Sequence, residues 1–406
     1  MNKIDKIYQA ADDRKKFGFD EVENIRLGDV ATYINGYAFK PHDRGEEGLP
    51  IIRIQDLTGN SYDLGFYNGE YPAKIEINDG DVLISWSASL GVYVWNRGKA
   101  LLNQHIFKVE FDKKEIDKSY FVYAVKYKLS DMEKNTHGAT MKHIVKSDFD
   151  ATLIPYPSIE IQQEIAHRLD KVTKIIEDRK KQLEELDTLI KARFVEMFGD
   201  PIKNPMGWKV KKLGELSIQI NSGNTPKGGE QVYVDKGIAF FRSQNVWKNR
   251  LEMDDIAYID ETMHKSMSRS SLKHGDILMT KTGRINTENS SLGRAALYLG
   301  EDDKANVNGH VYFIRLKPNI NNRFILRILV SNEYRDHIRS VCVGGIDKRQ
   351  LNKNHIEDFP IICPPEDMVD EYVAFSDQVD KLKVEVQKSL DELQTLFNSL
   401  MQQYFG

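Results

Sequence analysis

The sequence predicts an α+β fold in which two β-rich modules occur in tandem and each is followed by a long α-helix. The two helices are expected to pack on each other as an antiparallel coiled coil. Ser158–Phe198 and Glu366–Phe405 both repeat apolar side chains at three- and four-residue steps, which is typical of long helices with one apolar stripe. The segments before them contain short apolar runs separated by Gly, Asn and Asp, and the same motifs recur there in the same order.

The two predicted helices carry narrow apolar stripes. The first stripe consists of Ile161, Ile165, Leu169, Val172, Ile176, Leu183, Leu186, Ile190, Phe194 and Phe198. The second consists of Val369, Tyr372, Phe375, Val379, Leu382, Val386, Leu390, Leu393, Phe397, Leu400 and Tyr404. Each helix would be roughly 60 Å long. Because one narrow stripe cannot bury itself, we expect the helices to bury each other and to hold the two modules apart. A long core helix at a domain edge is the alternative for either helix alone.

The chain before each helix is one unit present in two copies. The recurring pairs are Leu27-Gly28-Asp29 with Leu213-Gly214-Glu215, Asp79-Gly80-Asp81 with His274-Gly275-Asp276, Ser89-Leu90-Gly91 with Ser291-Leu292-Gly293, and Asn103-Gln104-His105 with Asn308-Gly309-His310. The offset between the copies increases along the chain, which indicates small insertions in surface loops of the second copy. The sequence therefore predicts two modules of the same fold.

The repeat divides the chain into six segments. They are an N-terminal arm (1–24), a first module (25–157), a central helix (158–198), a linker rich in Gly, Pro and Asn (199–208), a second module (209–365) and a final helix (366–406). The predicted strands are 49–57, 81–87, 91–95, 105–111, 237–242, 276–280, 295–299 and 310–316, and shorter helices are predicted at Ser119–Ser130 and Asn322–Val341.

Composition indicates an ordinary cytoplasmic protein with no membrane segment. The amino terminus has no apolar core of a signal peptide, and no apolar run approaches the length of a membrane span. The two cysteines, Cys342 and Cys363, are not spaced as metal ligands or as a redox pair, which favours a reducing compartment. The net charge is −4 and the pI about 6.2, which taken alone counts against a nucleic-acid-binding protein.

The sequence contains no recognisable catalytic or metal-binding motif. A Gly-x-x-x-x-Gly-Lys-Ser/Thr phosphate loop, an Asn/Asp-Pro-Pro-Tyr/Phe motif and a His-Glu-x-x-His zinc motif are all missing. His105 and His310 occupy equivalent positions beside apolar strands, and we expect them to be core histidines. We therefore predict a binding protein that is not an enzyme.

Polar and basic residues recur at the predicted strand ends, but their identities differ between the copies. Arg and Gln side chains can form paired hydrogen bonds with base edges, and Lys, Ser and Thr suit contacts with phosphates. The candidate DNA-binding residues of the first copy are Arg53, Gln55, Ser85, Trp86, Ser87, Thr140, Lys142 and His143. Those of the second copy are Arg242, Ser243, Gln244, Asn245, Lys281, Thr282, Arg284, Lys348 and Arg349. Any β-rich surface carries such residues, so a single position is weak evidence for DNA binding. The repeated set is stronger evidence.

In its order of motifs the chain resembles the specificity (S) subunits of type I restriction-modification systems. The matching stretches are 50–57, 78–85, 102–109, 138–144, 154–172, 197–208 and 387–405, and the resemblance extends from Ile25 to Gly406. Each motif is weak alone, whereas their order, duplication and spacing are specific.

The resemblance implies that each module is a target-recognition domain for one part of a split DNA sequence, separated by a helix pair of fixed length. It further implies that the helices bind two methyltransferase (M) subunits, and that motor/nuclease (R) subunits complete the restricting complex. This chain would bind no cofactor itself, because S-adenosylmethionine would be held by the M subunits. They would also help to enclose the duplex, which makes the acidic pI of this chain intelligible.

Two departures and two alternatives qualify this interpretation. The second copy has Ile346-Asp347 where the first has Thr140-Met141, and Arg179 interrupts the first apolar stripe. One alternative is a coiled-coil scaffold that binds proteins and has no DNA specificity. The other is a self-contained DNA methyltransferase or nuclease, against which the missing cofactor and catalytic motifs argue.

Overall fold

The structure divides into two units that each contain one module and part of both long helices. The computed structural model describes residues 22–59, 63–135, 144–226, 228–285, 287, 289–345 and 348–406. Unit 1 comprises Met1–Gln182 and Val386–Gly406, and unit 2 comprises Leu183–Glu385. Most of the predicted N-terminal arm lies outside the described residues. In the described part of the chain, no helix has the length and apolar character that crossing a membrane requires.

The module of unit 1 combines short strands with short helices. Its strands are β1 (Asn24–Arg26), β2 (Thr32–Asn35), β3 (Leu49–Ile52), β4 (Phe66–Tyr67), β5 (Glu76–Ile77), β6 (Val82–Ser85), β7 (Gly91–Val94), β8 (Ala100–Leu102), β9 (Ile106–Glu110) and β10 (Leu153–Pro155). Its helices are α1 (Leu27–Val30), α2 (Ile54–Leu57), α3 (Lys118–Asn135) and α4 (Lys146–Ala151), with 3-10 turns at Pro41–Asp43 and Ala73–Ile75.

The strands of unit 1 form two four-stranded sheets and one strand pair. The first sheet has the order β2-β9-β6-β7 and is antiparallel throughout. The second has the order β4-β3-β8-β5, in which β3 and β8 are parallel. Strands β1 and β10 pair antiparallel and join the two ends of the module.

The long helix α5 (Ile159–Phe198) begins in unit 1 and ends in unit 2. The strands of unit 2 are β11 (Lys209–Lys212), β12 (Ser217–Ser222), β13 (Ile238–Phe241), β14 (Val246–Trp247), β15 (Arg250–Leu251), β16 (Ala257–Ile259), β17 (Ile277–Thr280), β18 (Thr282–Gly283), β19 (Ala295–Leu297), β20 (Ala305–Val307), β21 (Val311–Leu316), β22 (Val343–Gly344), β23 (Arg349–Gln350) and β24 (Pro360–Cys363).

The helices of unit 2 end with the second long helix. They are α6 (Leu213–Leu216), α7 (Glu261–Ser266), α8 (Asn322–Val330), α9 (Asn332–Val341), α10 (Lys353–Glu357) and α11 (Glu366–Phe405), which continues into unit 1. The 3-10 turns of this unit are Gly229–Val232, Ser243–Asn245 and Ser268–Ser270.

The sheets of unit 2 repeat those of unit 1, which confirms the internal duplication. Sheet β12-β21-β17-β19 corresponds to β2-β9-β6-β7, and the pair β11-β24 corresponds to β1-β10. In sheet β16-β13-β20, strands β13 and β20 are parallel, as β3 and β8 are in unit 1. Unit 2 also contains a β14-β15 hairpin and a small sheet of order β18-β23-β22, which have no counterpart among the described residues of unit 1.

The apolar stripes of α5 and α11 enter the main core of each unit. In unit 1 Leu169 and Val172, near the start of α5, are buried with Leu400 and Tyr404, near the end of α11. In unit 2 the direction is the same, since Phe194 at the end of α5 packs edge-on against Tyr372 at the start of α11, with ring centroids 5.4 Å apart. The helices are therefore antiparallel in both units, which confirms the predicted pairing.

Three local predictions differ from the structure. The predicted strand 49–57 ends at Ile52, because Asp56 accepts a hydrogen bond from the backbone N–H of Arg53 and starts helix α2. The predicted helix Asn322–Val341 is two helices, because Ser331 ends α8 and its hydroxyl caps the backbone N–H of Tyr334 in α9.

The third difference concerns the stripe of α11, whereas the interruption of the α5 stripe at Arg179 is as predicted. Leu382 is 50% exposed and does not take part in the buried stripe of α11. Arg179 is partly buried and donates to Gln182 at 2.7 Å, so one turn of α5 carries polar contacts where the stripe is interrupted.

Candidate nucleic-acid interface

Two of the predicted binding segments of each unit meet at one end of its four-stranded antiparallel sheet. In unit 1 the backbone N–H of Trp86 donates to the carbonyl of His105 at 3.3 Å, and that of Asn103 donates to Ile52 at 3.0 Å. In unit 2 Lys281 donates to His310 at 2.9 Å and Asn308 to Phe241 at 3.0 Å. These equivalent bonds place the loops after β3 and β6, or β13 and β17, beside one turn.

That turn leads into β9 in unit 1 and into β21 in unit 2, and it carries a histidine in both copies. His105 has a positive φ of 73° and its ring lies 4.9 Å from that of Trp86. Its Nδ1 is buried and has no hydrogen-bond partner among the described residues. His310 is exposed, so the prediction that both histidines are core residues is wrong for His310.

In unit 1, Arg53 supports the loop after β3. Its Nε donates to the buried carboxylate of Asp56 at 3.0 Å, and its side chain is itself only 14% exposed. Gln55 is exposed next to it, and its amide oxygen can accept from both terminal nitrogens of Arg53 at 3.1 and 3.2 Å. Arg53 is thus positioned to orient Gln55, which is the more accessible of the two side chains.

Unit 2 repeats this arrangement with an Arg and a Gln at the equivalent positions, but the carboxylate comes from Asp255. Arg242 is mostly buried and lies 3.1 Å from a carboxylate oxygen of Asp255. Gln244 is exposed and its amide donates to the other carboxylate oxygen of Asp255 at 3.0 Å. The hydrogen bond from Gln244 and the positive charge of Arg242 lower the pKa of Asp255. Asp255 therefore remains ionised and holds both side chains.

Asn245 takes the place of Asp56 and is buried. Its side-chain oxygen accepts from the backbone N–H of Arg242 at 2.9 Å, and its amide donates to the carbonyls of Glu252 and Asp255, each at 3.1 Å. The hydroxyl of Ser243 reaches the carbonyl of His310 at 3.5 Å. In this loop Asn245 stabilises the backbone, whereas Gln244 presents the amide.

The segment Ser85–Ser87 contributes less accessible surface than the sequence suggests. Ser85 is fully buried and its hydroxyl donates to the carbonyl of Ser89 at 2.6 Å. Ser87 is also buried, and Trp86 stacks on Phe107 with ring centroids 5.5 Å apart. These contacts support the end of the sheet. Thr140, Lys142 and His143 lie outside the described residues, as does the departure at Ile346-Asp347.

The basic candidates of unit 2 are brought together by the small sheet β18-β23-β22. Thr282 pairs with Gln350 and Gly283 with Arg349. An open cleft beside them is lined by Thr282, Gly283, Arg284, Thr287, Asn289, Ser290, Ser291 and Lys348. Arg284 and Lys348 are exposed at this cleft.

Two other basic candidates of this region already have contacts within the protein. The Lys281 ammonium lies 5.6 Å from the centre of the Tyr312 ring, and Arg349 donates to the carbonyl of Cys342 at 3.3 Å. The cleft thus combines two accessible cations with hydroxyl and amide groups, which suits contacts with phosphates and base edges. Sequence comparison missed the polar residues Thr287 and Asn289, which fall in the longer loop of the second copy.

Replacing Asn245 and Gln244 separately will distinguish a residue that stabilises the loop from a residue that is exposed for contact with a ligand. Asn245→Ala removes three hydrogen bonds and leaves a buried backbone N–H unpaired, so the free energy of unfolding should fall by about 1–3 kcal/mol. Gln244→Ala, one residue away and exposed, should change it by no more than about 0.5 kcal/mol. Denaturant unfolding followed by Trp fluorescence measures both. Equal losses for the two variants would contradict this division of roles.

The comparison with known families places nearly the whole chain in one of them. The sequence model of the type I restriction modification DNA specificity domain matches residues 20–187 and again 205–395. The specificity subunit of type I restriction enzyme EcoBI from Escherichia coli is 24% identical over 420 residues, covering 94% of this chain and 85% of that protein. The MjaVIII specificity subunit from Methanocaldococcus jannaschii is 25% identical over 344 residues, covering 80% and 78%.

Solved structures agree in fold. The S subunit of a type I restriction-modification system from M. genitalium has a TM-score of 0.55 at 14% identity, covering 95% of this chain and 97% of that one. A chain from a structural study of type I complex assembly has a TM-score of 0.54 at 16% identity, with 94% and 96% covered. With its two matched domains, this chain belongs to the type I restriction modification DNA specificity family.

Proposed function

We propose that this chain is the DNA sequence-recognition subunit of a type I restriction-modification complex and that each module recognises one half of a split target. The observation that carries this proposal is the duplicated strand end. Both units form it with the same backbone hydrogen bonds, yet the residue that donates to the histidine turn is Trp86 in unit 1 and Lys281 in unit 2. A shared backbone with different side chains suits two recognition domains with different half-sites.

In this proposal the target-recognition domains are residues 25–157 and 209–365, joined by the linker 199–208. The helices 158–198 and 366–406 set the gap between the half-sites, and residues 1–24 form an arm. The described side chains have two roles. Gln55, Gln244, Arg284 and Lys348 contact DNA directly, whereas Arg53, Arg242, Asn245, Ser85 and Ser87 hold the loops in place. Trp86, Ser243, Lys281, Thr282 and Arg349 line the same surface, and we propose that Thr140, Lys142 and His143 of the first domain also contact DNA.

We further propose that the chain is not catalytic and works with two methyltransferase subunits, to which motor/nuclease subunits are added for restriction. The methyltransferase subunits would hold S-adenosylmethionine and rotate the target adenine out of the duplex. The long helices carry exposed apolar side chains that a bound methyltransferase subunit would cover. In unit 2 Val195, Leu382 and Val384 are 53%, 50% and 70% exposed.

Removing the accessible cations of the cleft tests this function directly. The variant Arg284→Gln/Lys348→Gln, purified with the methyltransferase subunits, should bind the target duplex about tenfold or more weakly. Lys304→Gln/Lys317→Gln is a matched control. Both lysines are exposed on unit 2, and Lys317 follows the end of β21 that is opposite to His310. Fluorescence anisotropy at fixed salt measures both variants. Target and unrelated duplexes bound equally by the wild-type complex would favour the scaffold alternative.

A change in the length of the helix pair should change the gap. Deleting the seven residues 179–185 of α5 removes a stretch without fully buried side chains. A pair shortened by one heptad would be about 10 Å shorter, which corresponds to about three base pairs. We expect a shorter gap or loss of recognition, measured from the methylated motif. Lys180→Ala/Glu184→Ala, which keeps the length, should retain the original motif. An unchanged gap in a folded deletion variant would refute the spacer role.

A further inference from the structure

A group of cations converges on one side of unit 2, outside the predicted binding residues. Lys248 lies between the two strands of the β14-β15 hairpin and Arg250 begins β15. Arg294 precedes β19, which contacts both this hairpin and helix α8. The group is completed by Arg335 and Arg339 of α9 and by Lys191 of α5, whose positive charges act on Lys248. We call these six residues the basic cluster.

Arg294 is the fixed centre of the basic cluster. Its guanidinium lies 3.8 Å from the centre of the Trp247 ring, and its Nε donates to the carbonyl of Ser290 at 3.0 Å. A second nitrogen donates to the carbonyl of Asn289. The residue is only 8% exposed, and its described partners are an aromatic face and carbonyl oxygens but no carboxylate. Burying a cation without an anion is costly, so this arrangement favours an anionic ligand.

Further cations add positive charge around this centre. Partial burial and the positive charges of Arg335, Lys191, Arg294 and Arg339 lower the pKa of Lys248. Burial together with Arg335 and Arg250 likewise lowers the pKa of Arg294. Among the residues that the structure describes, two carboxylates pair with members of the cluster. Glu252 lies 2.5 Å from Arg250, and Asp336 lies 3.1 Å from Arg339.

The basic cluster adjoins the predicted DNA-binding loop. The indole N–H of Trp247 donates to the carbonyl of Gln244 at 3.0 Å, and the backbone N–H of Asn249 donates to Ala295 at 2.8 Å. The hairpin is therefore fixed between the exposed amide of Gln244 and strand β19. Unit 1 lacks the central cation, because Gly91 is followed by Val92 where Gly293 is followed by Arg294.

We propose that the basic cluster binds the sugar-phosphate backbone of duplex DNA beside the half-site recognised by unit 2. This inference rests on the proposed function, which it deepens by naming a contact that sets position without recognising sequence. Several cations that adjoin a base-contacting loop match the repeated negative charges of a DNA strand. They would also supply local attraction that a chain of net charge −4 does not supply overall.

The test is a salt titration of duplex binding by the full chain in complex with its methyltransferase subunits. Lys248→Gln/Arg250→Gln should reduce the slope of log affinity against log salt by about 0.9 for each phosphate that is no longer neutralised, or about 2 in total. Both residues are exposed, and the single variant Lys248→Gln, with about half the effect, guards against misfolding of the pair. The ratio of affinities for target and unrelated duplexes should not change. Lys304→Gln/Lys317→Gln should keep the wild-type slope.

Four outcomes would overturn the inference. The first is a wild-type slope in both Lys248 variants while the wild-type complex still prefers its target, which leaves the proposed function intact. The second is a lost preference for the target, because the cluster would then recognise bases. The third is weaker binding of the methyltransferase subunits in size-exclusion chromatography with DNA binding unchanged, which would assign the cluster to a protein interface. The fourth is thermal stabilisation by inorganic phosphate, absent in the variants, without any change in the DNA slope. A wild-type complex that binds no target would instead refute the proposed function.

Discussion

The structure depends on the pairing of two apolar stripes that cannot be buried separately. In each unit α5 and α11 contact each other and also complete the core of the adjacent module. In unit 2 the Phe198 ring packs against both Tyr372 of α11 and Phe324 of α8, with centroids 5.6 and 5.1 Å apart. In unit 1 Phe405 lies 5.2 Å from Tyr120 of α3. Buried aromatic rings therefore fix each module to the helices. Within each unit, the helix pair thus has a defined position relative to the candidate binding loops.

The duplication keeps the backbone of the two units the same while their side chains differ. The parallel pair β3-β8 recurs as β13-β20, and the histidine turn accepts the same backbone hydrogen bond in both units. The residues on this backbone differ, because an Arg53–Asp56 ion pair orders one loop and Asn245 orders the other. The two units therefore share one fold and differ in the side chains at the strand end. The proposed recognition of two different half-sites depends on this separation.

Much of this fold could be predicted from the sequence, because periodicity and repetition report local structure. Helix α5 begins one residue after its predicted start, and α11 ends one residue before its predicted end. The sequence does not predict the break at Ser331, because a serine also occurs inside helices. Its role as the cap of α9 depends on the turn that the chain makes there. The end of β3 at Ile52 was missed for a similar reason, because Asp56 caps a helix only one turn long.

The candidate site was less predictable, because burial and pairing depend on residues far apart in the chain. Arg242 is engaged by Asp255, and Ser85 lies inside the sheet, neither of which the motif comparison indicates. The basic cluster draws on the hairpin, β19, α9 and α5, so no local motif contains it. Conversely, the exposure of Arg284 and Lys348 agrees with their prediction from loop position alone.

The central claim is that one chain couples two recognition domains at a fixed separation. A genome-wide map of N6-methyladenine in cells with and without this gene tests it most directly, provided that the neighbouring methyltransferase subunit is expressed in both. The account predicts a gene-dependent motif made of two short, different half-sites around a gap of constant length. No gene-dependent methylation, or a single uninterrupted motif, would contradict it.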